Sequence, residues 1–165
     1  MKEIEFKIKG LMMDPLTNAP IVVLQDTGSD TLLPIWVGIF EANAIALQIE
    51  KVDTPRPMTH DLIKGLLNHL NAKVTKIVVT ELKDNTFYAM IFLDVGGKVV
   101  TVDSRPSDAI ALALRTDSPI YVTEDVISKS SSTSSTALSA EKSSPEDIRQ
   151  WLENLNPEDM GKYKM

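Results

Sequence analysis

The chain of 165 residues contains no cysteine. Disulfides, thiolate zinc sites and cysteine nucleophiles are therefore excluded, and the composition fits a reducing compartment, so we expect a cytoplasmic protein. No apolar run approaches the roughly 20 residues that a membrane-spanning helix needs. The first five residues carry acidic side chains and no apolar stretch, so we expect neither a signal peptide nor a membrane partner.

An excess of positive charge is also missing. The chain has 17 basic and 23 acidic residues, for a net charge of −6, and residues 1–127 alone hold 12 basic and 17 acidic residues. Proteins that bind nucleic acid over a broad surface usually present a basic face. A phosphate ligand would therefore have to be bound by a small local site or with the help of metal ions.

The composition divides the chain into three parts. Serine and threonine make up 11 of the 17 residues in 128–144, too polar a stretch to bury a core, so we predict a flexible Ser/Thr-rich linker. Before it lies a domain of residues 1–127. After it, residues 145–165 contain a short amphipathic helix, with one face formed by Ile148, Trp151, Leu152 and Leu155. This helix either docks back on its own domain or binds a partner or a second copy.

The domain contains an internal repeat. Residues 42–47 (ANAIAL) align with residues 107–112 (SDAIAL) at an offset of 65 positions. Runs rich in β-branched residues, separated by turn pairs such as Asp84-Asn85 and Gly96-Gly97, place three strands before each helical segment. The predicted strands are about 3–13, 20–26, 31–37, 73–82, 86–95, 98–103 and 119–122, and the predicted helices are about 40–52, 59–71 and 106–115.

This pattern predicts an α+β fold. It consists of a duplicated β-β-β-α unit with an inserted helix between the copies and a largely antiparallel sheet. The apolar spacing of the inserted helix predicts a buried side formed by Leu62, Ile63, Leu66, Leu67 and Leu70.

The two copies differ most where the third strand meets the helix. The first copy has residues 38–43 (GIFEAN) there, whereas the second has the polar residues 103–108 (DSRPSD). A helix N-terminus and a neighbouring Arg105 suit a phosphate, and the carboxylates of Asp103 and Asp108 suit a divalent cation. A structural interpretation is the alternative: Ser104 caps the helix, Asp108 complements the helix dipole, and Arg105 forms a local ion pair with Asp103.

A second polar group, residues 56–61 (RPMTHD), opens the inserted helix. A histidine beside a carboxylate can bind a metal or act as a general base, so His60 and Asp61 are candidates, and a capped helix start with a solvated histidine is the alternative. His69 lies about 180° from His60 around the helix, so the two histidines do not form one site. Glu41 opens the first helix, where an acid complements the dipole.

Four segments, in order along residues 1–127, resemble the bifunctional nuclease domain family. They are 33–38 (LPIWVG) followed by Glu41, 56–62 (RPMTHDL), 82–89 (LKDNTFYA) and 102–112 (VDSRPSDAIAL). The resemblance implies a compact α+β domain that is often homo-oligomeric, with RNase and DNase activity and hence a nucleic acid substrate. The matching polar positions are Glu41, Arg56, His60, Asp61, Asp84, Asn85, Asp103, Ser104, Arg105, Ser107 and Asp108.

Two functional hypotheses follow. One is a metal-assisted nuclease with Mg²⁺ or Mn²⁺. Its catalytic residues would be Asp103, Arg105, Asp108, His60 and Asp61, its phosphate-binding residues Ser104, Arg105, Ser107 and Arg56, and its metal ligands Asp103, Asp108 and Glu41. The other is a non-enzymatic oligomeric regulatory module that binds a small anion or a protein partner, which the acidic balance of the chain favours.

Overall fold

The computed structural model describes residues 1–133. This part of the chain forms seven strands and four helices. In chain order they are β1 (Glu3–Met13), β2 (Pro20–Asp26), β3 (Leu32–Trp36), α1 (Ile39–Ile49), α2 (Thr59–His69), β4 (Ala72–Lys83), β5 (Thr86–Val95), β6 (Lys98–Ser104), α3 (Pro106–Thr116), β7 (Ile120–Thr123) and α4 (Glu124–Thr133).

The seven strands form one sheet in the order β3-β2-β1-β7-β4-β5-β6. Strands β1 to β3 pair antiparallel with their neighbours, as do β4 to β6. Strand β7 joins the two groups, antiparallel to β1 and parallel to β4. The predicted α+β class with a largely antiparallel sheet is confirmed. Each group of three strands is followed by a helix, α1 or α3, while a duplication of the sequence stays a prediction.

Two tight turns fix the register of the second group of strands. Asp84 and Asn85 have φ angles of 49° and 59°, and Gly96 and Gly97 have φ angles of 61° and 83°. Two-residue hairpins favour this left-handed backbone because it follows the twist of the paired strands. The second turn brings β6 alongside β5 and leads the chain directly into α3, where the polar residues 105–108 lie.

The hydrophobic core lies between the sheet and the helices. Alternate residues of the strands are buried in it, because successive side chains of a strand point to opposite faces. Helices α1 and α3 contact each other and contribute several alanines to this core. Its fully buried large side chains include Leu11, Val22, Leu24, Leu33, Ile45, Ile77, Val79, Ile110, Val122 and Val126.

The predicted buried side of the inserted helix is partly wrong. Ile63 and Leu67 of α2 pack against the core. Leu62, Leu66 and Leu70 instead are 56%, 55% and 70% exposed. Helix α2 packs on α3 and β4, and of these five side chains Ile63 and Leu67 are the two that pack against the core.

The predicted start of the linker is also wrong. Helix α4 continues to Thr133, so residues 128–133 are helical. The hydroxyls of Ser128 and Ser131 donate to backbone oxygens four residues earlier, at 2.9 Å each, and Lys129 pairs with Asp125 at 2.6 Å. The rest of the predicted linker and the predicted C-terminal helix lie outside the described residues. No helix among residues 1–133 is both long enough and apolar enough to cross a membrane.

Candidate active site

Three helices begin at the same place and bring four polar side chains together. Arg105, the residue before α3, donates from Nη1 to Glu41 Oε1 of α1 at 2.8 Å. Its Nε and Nη2 atoms lie 2.9 and 2.8 Å from Asp108 Oδ2, in the first turn of α3. The other oxygen of Asp108 lies 3.0 Å from Nε2 of His60, at the start of α2. We call these four residues the Arg105 cluster.

The guanidinium of Arg105 is the exposed end of this cluster. Its side chain is 65% exposed, whereas that of Glu41 is 19% exposed. The hydrogen bond with Asp108, followed by the one with Glu41, raises the pKa of Arg105 above its ordinary value. Its three contacts with the carboxylates leave two of the five N–H groups of the guanidinium without a partner among residues 1–133. Arg105 is therefore a permanent cation with donors available to an anion from solvent.

The imidazole of His60 is the buried end, with 8% of the side chain exposed. An ionised carboxylate only accepts hydrogen bonds, so the contact with Asp108 places a proton on Nε2 of His60. In the neutral ring Nδ1 then keeps its lone pair, and Nδ1 makes no hydrogen bond within residues 1–133. The pair has the arrangement of a general base held by a carboxylate.

A second polar bridge, built on an arginine that is more deeply buried than Arg105, connects the same three helices. Arg115, seven residues after Asp108 on α3, has a side chain that is only 3% exposed. It donates to Asp61 Oδ1 of α2 at 2.7 Å, and to the backbone oxygens of Ala111 and Ala44 at 2.9 Å each. Arg115 was not among the site residues predicted from the sequence. Its position could have indicated it, because it is the single basic residue of α3 and lies on the same face of the helix as Asp108.

The remaining predicted site residues lie outside the Arg105 cluster. Asp103 is exposed on β6, opposite Met90 of β5. The Ser104 hydroxyl donates to the backbone oxygen of Arg105 at 2.9 Å, and Ser107 is buried. Arg56 lines a pocket together with Asp61 and Arg115.

The predicted metal site of Asp103, Asp108 and Glu41 is not assembled. Within residues 1–133, no three His, Asp or Glu side chains are grouped so that they could hold a metal ion. Asp108 and Glu41 do come together, but the guanidinium of Arg105 lies between them and supplies the positive charge that a cation would. The three predicted ligands therefore do not form a preassembled metal site among the described residues, and the use of Mg²⁺ or Mn²⁺ stays a prediction.

Gly38, the residue before α1, leaves room for the carboxylate of Glu41. A Cβ at this position would overlap Glu41 Oε2, so we expect Gly38→Ala to displace the carboxylate from Arg105. The cost should be at most about 1 kcal/mol, since the contact is an exposed ion pair. In a Glu41→Ala background the clash is absent. The gain from a less flexible unfolded chain is then offset by the preference for glycine over alanine at a helix N-cap, so the effect of Gly38→Ala should lie within about 0.5 kcal/mol of zero. Urea unfolding of the four proteins measures this difference between the backgrounds.

The matched control for Gly38 is Gly65, within α2. A Cβ there would meet nothing within 4 Å, so Gly65→Ala should stabilise the protein equally in both backgrounds. An equal effect of Gly38→Ala in the two backgrounds would contradict the role assigned to this glycine.

Comparison with known proteins gives the family. The sequence profile of the bifunctional nuclease domain matches residues 22–135. A Mycobacterium tuberculosis protein described as uncharacterized is 34% identical over 161 residues, which cover 94% of this chain and 96% of that protein. Bifunctional nuclease 1 of Oryza sativa subsp. indica is 28% identical over 67% of this chain and 34% of its own length. Bifunctional nuclease 2 of Arabidopsis thaliana is 31% identical over 64% of this chain and 33% of its own length. The chain belongs to the bifunctional nuclease domain family.

Proposed function

We propose that the chain hydrolyses phosphodiester bonds of RNA or DNA at the Arg105 cluster. The observation that carries this proposal is the exposed guanidinium of Arg105, bound to the same carboxylate that holds His60. A phosphate needs a cation with free donors, and hydrolysis needs a group that moves a proton. The similarity to proteins named bifunctional nucleases supports the same reaction class.

The side chains suggest a division of roles. Arg105 would bind two oxygens of the scissile phosphate through its free N–H groups and stabilise the charge that builds up in the transition state. His60 would accept a proton at Nδ1 from the attacking water as its oxygen bonds to phosphorus. The P–O ester bond would then break, and the leaving oxygen would take a proton from solvent. Asp108 would hold the ring in the required tautomer and stabilise the imidazolium that forms. Asp61 acts through Arg115, which joins α2 to α3 and so positions His60.

The dependence on Mg²⁺ or Mn²⁺ stays a prediction, as does the cytoplasmic location. Because no group of three candidate ligands is assembled among residues 1–133, none of these roles is assigned to a metal ion. The activity is measured on RNA, single-stranded DNA and duplex DNA, with EDTA and with each metal, using protein purified from two expression hosts. Turnover that varies with the host and not with the amount of protein would indicate a contaminant.

The variant that tests the site is Arg105→Met. Its turnover should be lower by about 10²- to 10³-fold, the usual loss when one stabilising donor is removed from a transition state. The matched control is Lys64→Met, which removes an exposed cation on α2 that forms no ion pair within residues 1–133. Equal turnover in the two variants would mean that the reaction occurs elsewhere.

A second candidate is the non-enzymatic oligomeric module. The burial of His60 favours it, because a general base must be reached by its substrate. The exposed leucines of α2 and the exposed Val99, Val100 and Val102 of the edge strand β6 offer apolar surface for a second copy. Absence of turnover from both hosts, together with an oligomer in sedimentation velocity, would support this candidate, and a monomer would contradict it.

A further inference from the structure

A pocket of about 320 Å³ lies between the end of α1 and the start of α2, where the Asp61–Arg115 bridge forms part of its lining. The loop between these helices forms its rim, with Asp53, Pro55, Arg56 and Pro57. Asp61 and the buried Arg115 line it from the helices. This volume falls in the range of small-ligand sites.

Arg56 is the feature of this pocket that points to a ligand. Residues 1–133 contain three arginines, and the other two, Arg105 and Arg115, are held in ion pairs. The side chain of Arg56 forms neither an ion pair nor a hydrogen bond with any described residue. As far as the described residues go, its five N–H groups are therefore available to an anion.

The loop presents Arg56 in a restricted geometry. Pro55 and Pro57 flank it, which fixes two φ angles and keeps Arg56 itself out of the helical region. The hydroxyl of Thr54 donates to the backbone oxygen of Arg56 at 2.8 Å and closes the turn. A cation held on a rigid loop loses little conformational entropy when it binds a ligand.

The pocket also has acceptors for a ligand that donates hydrogen bonds. Asp61 is already bonded to Arg115, whereas the carboxylate of Asp53 is exposed and forms no ion pair within the described residues. A ligand that fits must therefore combine an anionic group for Arg56 with hydroxyl or amino donors for Asp53. A ribonucleotide has both, since carboxylates commonly accept from ribose hydroxyls.

We propose that this pocket binds one ribonucleotide unit of the substrate, with Arg56 on its phosphate and Asp53 on its sugar hydroxyls. The ligand class rests on the proposed nuclease function. The position follows from α2, where Asp61 lines the pocket and the preceding residue, His60, belongs to the Arg105 cluster. A nucleotide bound here places the next phosphate of the strand toward Arg105, and the sugar contact gives a preference for RNA over DNA.

Calorimetric titration with adenosine 5′-monophosphate, its 2′-deoxy analogue and inorganic phosphate tests the proposal on the full chain. The ribonucleotide should bind most tightly, the deoxy analogue about 10-fold more weakly for the loss of one charged hydrogen bond, and phosphate more weakly still. Arg56→Met should weaken ribonucleotide binding by at least about 10-fold. Asp53→Asn should reduce the difference between the two nucleotides. Lys64→Met should change nothing.

Three results would overturn the proposal: undetectable nucleotide binding, phosphate binding as tight as nucleotide binding, or equal binding by Arg56→Met and the wild type. Because a nucleoside monophosphate has no phosphodiester bond, these measurements do not depend on the proposed reaction. Binding without turnover would refute the nuclease proposal alone, and turnover without binding would refute the pocket alone. Urea unfolding of each variant verifies that the exposed substitutions at positions 53 and 56 leave the fold intact.

Discussion

Replacing His60 with glutamine is expected to lower nuclease turnover by about 10²- to 10⁴-fold, the usual contribution of a positioned general base. Glutamine keeps a side-chain amide that can still donate to Asp108, and Asp108 retains its bonds to Arg105. The loss of stability should therefore be about 1 kcal/mol, typical of one altered hydrogen bond. What glutamine cannot supply is the basic lone pair of an imidazole nitrogen, because the nitrogen of an amide does not accept a proton.

The second histidine of the same helix provides the control. His69 is exposed, and its Nδ1 lies 2.8 Å from the backbone oxygen of Gly65, on the far side of α2 from His60. His69→Gln should leave the turnover unchanged, so initial rates of the two variants on the same RNA and DNA substrates give a direct comparison. Full activity in His60→Gln, or an equal loss in His69→Gln, would remove His60 from the reaction.

The largest loss of stability is expected from Arg115→Met. This substitution keeps the volume and the apolar stem but removes all three hydrogen bonds of the guanidinium. Asp61 is left half-buried without a cation, and the buried contact to the backbone oxygen of Ala44 is lost. Breaking a buried ion pair from one side costs about 3–5 kcal/mol, because the remaining charge is uncompensated. For a domain of this size the Tm should fall by roughly 6–20 °C.

Urea unfolding followed by circular dichroism measures this loss, with the urea dependence of the free energy unchanged if the unfolded state is unaffected. Arg56→Met is the control, and it should change the stability by less than about 0.5 kcal/mol, as exposed substitutions usually do. Arg115→Lys keeps the positive charge but lacks the forked donors of the guanidinium, so it should lose less stability than Arg115→Met. Its stability can be measured even if Arg115→Met does not fold. A loss below about 1 kcal/mol in Arg115→Met would show that the bridge does not hold the helices together.

Periodicity and turn chemistry predicted most of the fold. The structure has the predicted seven strands and three helices, each within a few residues of its expected bounds. The turn at Asp84-Asn85 was predicted because these residue types tolerate a positive φ, which the structure shows. Strand and helix bounds and tight turns depend mainly on a few consecutive residues, so they can be predicted from the local sequence.

The same kind of reasoning failed where a residue's environment depends on distant parts of the chain. Leu62, Leu66 and Leu70 share a helical face with Ile63 and Leu67, but only the latter two reach the core. Serine-rich composition suggested a linker from residue 128, whereas α4 continues over it because Val126 is buried in the core and Ser130 is buried beside it. Composition indicates only the conformation that a segment prefers in isolation. Here the packing of α4 against β4 and β7 stabilises a helix where composition alone predicted a linker.

By itself, the sequence determined the α+β class, the order of the elements from β1 to β7, the absence of thiol chemistry and the list of polar residues from which a site could be built. Only the tertiary structure decided which of them meet. Asp103 and Asp108 are five residues apart but lie on different elements, β6 and α3, whereas Glu41 and His60 lie far from Arg105 in sequence and join it through the contacts of three helices. Side-chain distances depend on how the helices pack on the sheet. For that reason a carboxylate group that suggested a metal site in the sequence is, in the structure, the partner of an arginine.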